Sequence, residues 1–240
     1  MMGDAAQTGH PQDVKTFDSA ALSAALDEAT APVIDHLMDY FAPESPYLTF
    51  GAPGAARTLS MYGRTVLADR DPFGDPFNGV RKEGVEVRVA GPEDPLVFPP
   101  GRFGLVHARW TGFAGSVVPN LVRWLRPGGV LLLEAPDDYP ARNLPRGPYQ
   151  AVSEAVCDRL DVALSVALPG RLVRHGLLHV GVRHELPSVR PFHDLLEAAL
   201  RAGAPWPQIE QADLEDWRSD PVAATPALTN VMVWGVKTSH

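Results

Sequence analysis

Residues 103–136, FGLVHARWTGFAGSVVPNLVRWLRPGGVLLLEAP, constrain the fold more than any other stretch of this chain. The apolar pattern changes period twice within it. Leu105 and Val106 open a strand that closes on His107, Ala108 and Arg109. Val117, Leu121, Val122, Trp124 and Leu125 then recur at helical spacing. Pro127-Gly128-Gly129 stops that helix, because proline cannot extend it and glycine supplies positive φ. Residues 130–133 are continuously apolar, which predicts a strand covered on both faces, in the run that ends at Glu134. A strand, a helix and a strand in this order require a parallel sheet with helices packed against it.

The rest of the chain is consistent with one α/β domain. Its 240 residues are 45% hydrophobic, enough for a sizeable core. Residues 65–69, TVLAD, read as a strand ending in an acid, and residues 85–89, VEVRV, alternate as a strand does. Residues 18–41 are helical in pattern, with Leu22, Ala25, Leu26 and Ala29 on one face. Val33, Ile34, Leu37, Met38 and Phe41 continue that face, and Pro32 between them predicts the first turn of a second helix.

Charge and composition exclude several classes. The formal net charge is −8 and no basic strip carries interleaved aromatic residues, which argues against nucleic acid and for a small-molecule substrate. No apolar run approaches the length of a membrane span. The first residues lack the basic start and apolar core of a signal peptide, so the expected location is cytoplasmic. Cys157 is the only cysteine and reads as a helical core thiol. His175, His179, His184 and His193 mimic a metal spacing, but His179 and His184 would project from opposite faces of one strand. No metal is expected, and a homodimer is left open.

The phrases FGLVHARW and LRPGGVLLLEAP resemble those of the class I methyltransferase family, which uses S-adenosylmethionine (SAM). The resemblance covers roughly residues 30–236. It implies a Rossmann-like, seven-stranded, mostly parallel sheet ending in an antiparallel pair, residues 177–186 with 229–236. It also implies a single domain over residues 1–240. Residues 1–45 would be a helical cap, and residues 46–240 the core, with a lid insertion around 137–170. The implied activity is SAM-dependent methyl transfer to a small molecule, in the setting of bacterial secondary metabolism. Two alternatives stand beside it: the same fold repurposed for a non-methylating reaction such as cyclisation, and a non-catalytic partner protein.

The resemblance also assigns site residues. Thr49, Phe50, Gly51, Ala52 and Gly54 occupy the Gly-rich cofactor loop after the first strand. Asp69 and Arg70 end the second strand, where an acid accepts hydrogen bonds from ribose hydroxyls. Pro92, Glu93 and Asp94 fall in the loop that meets adenine, and His107 and Ala108 border the methionine side. His107 is the candidate base, since imidazole titrates near neutrality. Arg109, Tyr139 and Tyr149 are candidate acceptor contacts. The loop is degenerate: Thr49 stands at the acidic position, Pro53 stiffens a shortened turn, and Pro92 and Gly104 stand where the family places aspartates.

Overall fold

The computed structural model describes residues 19–71, 75–109, 117–137, 163–185 and 229–238. Tyr139, Tyr149, Cys157 and His193 lie outside the described residues, as does most of the expected lid. Seven strands form one sheet: β1 Tyr47–Phe50, β2 Thr65–Asp69, β3 Glu86–Val89, β4 Phe103–Arg109, β5 Leu125–Asp137, β6 Leu177–Glu185 and β7 Thr229–Lys237. Their spatial order is β3-β2-β1-β4-β5-β7-β6. β3, β2, β1, β4 and β5 are parallel. β7 inserts between β5 and β6, antiparallel to both, so it alone is reversed. This is the expected α/β sheet with its antiparallel terminal pair.

Alternation along the strands separates the two faces. Tyr47, Leu105, Val130, Leu132 and Met232 pack against α1 (Ser19–Phe41) and α2 (Pro53–Ser60). Leu48, Phe50, Val106, Ala108, Leu131 and Leu133 face the other way. They meet α4 (Val117–Trp124) and the helix Ala163–Arg174, here α5, through Leu121, Trp124, Leu168 and Leu172. A further helix, α3 (Asp75–Lys82), buries Val80 against Ala56 and Leu67. None of the described helices is long and apolar enough to cross a membrane.

Three local expectations are revised. First, α1 is one 23-residue helix with Pro32 inside it. Proline at 32 takes the hydrogen bond from the carbonyl of Glu28, but both residues lie on the exposed side, where water can replace the lost donor. Second, α4 stops at Trp124, and β5 runs through the Pro-Gly-Gly turn, where Gly128 has φ of 74°. Lys237 of β7 caps this junction, donating from Nζ to the carbonyls of Val122 at 2.9 Å and Leu125 at 2.7 Å. Third, β5 continues past Glu134 to Asp137, because Pro136 and Asp137 pair with Asn230 and Thr229. A strand is as long as its partner allows, and that partner is distant in sequence.

Candidate functional site

A cavity of about 230 Å³ opens at the carboxyl ends of β1, β2 and β3. Phe50, Gly51, Ala68, Asp69, Arg70, Ala90, Pro92 and Arg109 line it. Five of these belong to the residues assigned to a cofactor from sequence, and Arg109 to those assigned to an acceptor. Ala68 and Ala90 were missed; their small side chains leave the space between β2 and the loop after β3. Asn120 of α4 was also missed. Its side-chain amide donates to the carbonyls of Pro92 and Glu93, each at 3.0 Å, and so fixes that loop.

Gly51 turns the chain away from β1 with φ of 67°, a conformation that glycine adopts without strain. A β-carbon there would sit 3.4 Å from the Arg109 carbonyl oxygen and 3.8 Å from Asp69 Oδ2. Asp69 divides its carboxylate between two tasks. Oδ1 accepts from the backbone N–H of Asp71 at 2.8 Å, closing an Asx turn, and Oδ2 lies on the Gly51 side of the cavity. Arg70 and Glu93 form a two-bond clamp at the rim, at 3.0 and 2.8 Å. The hydrogen bond from Arg70 holds the Glu93 carboxyl below its usual range. Asp94 faces elsewhere, accepting from the Leu96 N–H at 2.9 Å.

Beneath this end of the sheet lies a buried polar row on the α1 face. Thr49 Oγ1 and His107 Nδ1 are 2.7 Å apart, and His107 Nε2 and Glu134 Oε1 are 2.5 Å apart. Asn230 Nδ2 donates to Glu134 Oε2 at 2.8 Å. Thr49, His107, Glu134 and Asn230 are all completely buried, one on each of the adjacent strands β1, β4, β5 and β7. Arg109 joins the row to α1. Its Nε donates to Glu134 Oε1 at 3.1 Å, Nη1 to Asp27 Oδ1 at 2.6 Å, and Nη2 to Thr30 Oγ1 at 3.2 Å. Burial pushes the Glu134 carboxyl up, but the Arg109 charge and the bonds from His107 and Asn230 outweigh it and bring it down to about 2. Burial acts against the Arg109 guanidinium too, and Glu134 and Asp27 more than compensate.

This row changes the meaning of several assigned residues. His107 is not a base facing the cleft: both its nitrogens are engaged and no part of it is exposed. Thr49 spends its hydroxyl on His107. Ala52 is buried at the start of α2, and Ala108 points into the α4 face. The Phe50 ring does the same, leaving its backbone to the cavity wall. Gly54 meets α1: a β-carbon there would lie 1.9 Å from Asp27 Oδ2. Gly104, standing where the family has an aspartate, lies against the backbone of Glu44, whose carbonyl oxygen would be 1.8 Å from a β-carbon. No cluster of three metal-ligating side chains occurs among the described residues; His184 Nδ1 instead lies 3.2 Å from Asp137 Oδ2.

No family model matches this chain, and no curated protein matches it in sequence. Solved structures do. The YcgJ protein of Bacillus subtilis superposes with a TM-score of 0.56 at 14% identity, over 89% of this chain and 100% of that one. Geranyl diphosphate C-methyltransferase from Streptomyces coelicolor A3(2) gives 0.54 at 15% identity, over 98% of this chain and 88% of that one. That structure holds Mg2+, geranyl diphosphate and S-adenosyl-L-homocysteine. Phosphoethanolamine N-methyltransferase 2 of Haemonchus contortus, in complex with S-adenosyl-L-methionine, gives 0.54 at 16% identity, over 86% of this chain and 52% of that one. The strand order, the single reversed strand and these superpositions together give the chain the class I methyltransferase fold.

Proposed function

We propose that this chain is a SAM-dependent methyltransferase acting on a small molecule, within bacterial secondary metabolism. The observation that carries the reading is the cavity at the carboxyl ends of β1–β3, with Asp69 and Gly51 on its wall. Ligands of doubly wound sheets bind at this edge. The residues present fit the nucleoside end of SAM. Asp69 Oδ2 would accept from ribose hydroxyls, Gly51 would let the backbone approach, and Ala68 and Ala90 leave room for the base. The Arg70–Glu93 clamp would close the rim over it. Complexes of similarly folded proteins with SAM or S-adenosylhomocysteine support this choice of ligand. The setting in secondary metabolism rests on the sequence resemblance.

Bound SAM supplies an electrophilic methyl group on a sulfonium, so the protein's part is mainly to bind, orient and exclude water. Gly51 and Asp69 would set the ligand's position along the edge of β1 and β2. The row Thr49–His107–Glu134–Asn230 ties four strands together below that edge and keeps their ends in register. His107 acts in that row as a positioning residue. The test is calorimetry with SAM and S-adenosylhomocysteine, followed by mass spectrometry of SAM incubated with candidate acceptors. Binding that Asp69→Ala weakens by about 1–3 kcal/mol is expected, together with S-adenosylhomocysteine formation. Binding without any methylated product would instead favour a repurposed fold, and no binding at all would remove the reading.

A further inference from the structure

Arg109 faces two ways. Its carbonyl oxygen lies 3.4 Å from where a β-carbon on Gly51 would sit, and both residues line the cavity. Its guanidinium runs to the α1 face and is all but buried, with 5% of the side chain exposed. Glu134 holds Nε, Asp27 holds Nη1 and Thr30 holds Nη2. Two of those three partners belong to α1. Thr30 is fixed in turn, its hydroxyl donating to the Leu26 carbonyl at 2.7 Å. Asp27, Thr30 and Glu134 stand outside the cavity lining, and Arg109 is their connection to it.

The two halves of α1 are held differently. Past Pro32, Val33, Ile34, Leu37 and Met38 sink into the core against Tyr47, Leu105 and Leu132. Between residues 23 and 31, only Leu26 and Thr30 are buried. Pro32 separates the halves, and without an N–H it breaks the helical bond that would join them through the Glu28 carbonyl. The first half is therefore fastened to the sheet in large part by polar contacts with one side chain, that of Arg109.

We infer that Arg109 is a positioning residue for the cofactor, coupling the docking of residues 19–31 to the cavity wall at Gly51. This rests on the reading that the cavity takes SAM. When the first half of α1 is away, Arg109 keeps Glu134 alone. A buried guanidinium that has lost most of its partners is costly, so the side chain turns toward water. Its own carbonyl, packed beside Gly51, moves with it. The wall is complete only in the docked state, so docking favours the cofactor. By linkage the cofactor favours docking by the same factor.

The experiment follows amide hydrogen exchange by mass spectrometry, with and without S-adenosylhomocysteine, and measures that ligand's affinity by calorimetry. In the wild type the ligand should slow exchange in residues 19–31 about fivefold or more. The effect there should exceed that in α5, on the other face of the sheet. Asp27→Ala should raise exchange in residues 19–31 without ligand and abolish the response to it. Its affinity for S-adenosylhomocysteine should fall by the factor seen in wild-type exchange. Thr30→Val should follow Asp27→Ala, whereas Thr30→Ser keeps the hydroxyl and should behave as the wild type. Wild-type binding with residues 19–31 protected no more than α5 would overturn the inference and leave the cofactor reading standing. Unchanged affinity in Asp27→Ala would do the same. So would weaker binding there with the protection intact, which would mean a direct contact with the ligand. Failure of the wild type itself to bind S-adenosylhomocysteine would sink both readings.

Discussion

On the α4 side of β1 and β4, the Phe50 ring stacks on Trp124 with centroids 5.7 Å apart, and Phe98 meets Trp124 edge-on at 5.4 Å and Phe103 at 5.2 Å. One residue earlier on β1, on the opposite side, Thr49 bonds His107, which bonds Glu134. The same strands thus carry an aromatic core on one face and a charged, fully buried row on the other. The two are stabilised by different physics. Aromatic packing is graded, since each buried carbon contributes a little. A buried charge is stable only while its partners are complete, and loss of one partner leaves the rest unpaired. The polar face is also the one that α1 covers, and the one joined through Arg109 to the cavity.

The largest effect should come from the aromatic face. Trp124→Ala removes a ring at the centre of the cluster and should cost about 3–5 kcal/mol in urea unfolding. Its pH dependence should match that of the wild type. Glu134→Gln keeps the size of the side chain but leaves Arg109 without its buried counter-charge, and about 3 kcal/mol should be lost. A loss near zero would mean that the row contributes little, and the contrast between the faces would fail.

The next test uses pH. The Glu134 carboxyl is held at about 2 in the folded protein, against an ordinary value of 4.5. A depressed carboxyl contributes stability that is fully present above its unfolded value and is lost as pH falls through its folded value. On the order of 3 kcal/mol should therefore drain away between pH 4.5 and 2. Trp124→Ala should keep that slope and Glu134→Gln should lose it, as read from unfolding midpoints across the range. The smallest effect belongs to the cavity rim. Arg70 and Glu93 are half exposed or more, so Arg70→Ala should change folding stability by less than about 1 kcal/mol. A larger change would mean that the clamp supports the fold as well as the rim.

Much of the scaffold was legible in the chain because its signals are local. The alternating run at residues 85–89, the strand-like run at 65–69 and the apolar run at 130–133 each carry their own instruction. Arg109 was assigned to the acceptor side, and its backbone does reach the cavity, yet its guanidinium is committed to Glu134, Asp27 and Thr30. His107 was read as a group facing a cleft because a strand's carboxyl end is usually open. Here β5 and β7 bring Glu134 and Asn230 beside it, from 27 and 123 residues further along the chain. One signal was available: Thr49, His107 and Glu134 each follow or interrupt an apolar run within their strand, and Asn230 precedes one near the start of the reversed strand.

The amino-acid sequence alone determined which segments become strands and helices and where glycine must turn the chain. These follow from spacing between near neighbours, which burial converts directly into periodicity. Only the tertiary structure decided which polar side chains meet. Asp27 and Gly54 belong to different helices, Thr49 and His107 to different strands, and their contacts exist only once the sheet closes and α1 lies across it. A buried hydrogen bond depends on angles and distances between elements far apart in the chain, and no local pattern encodes that geometry.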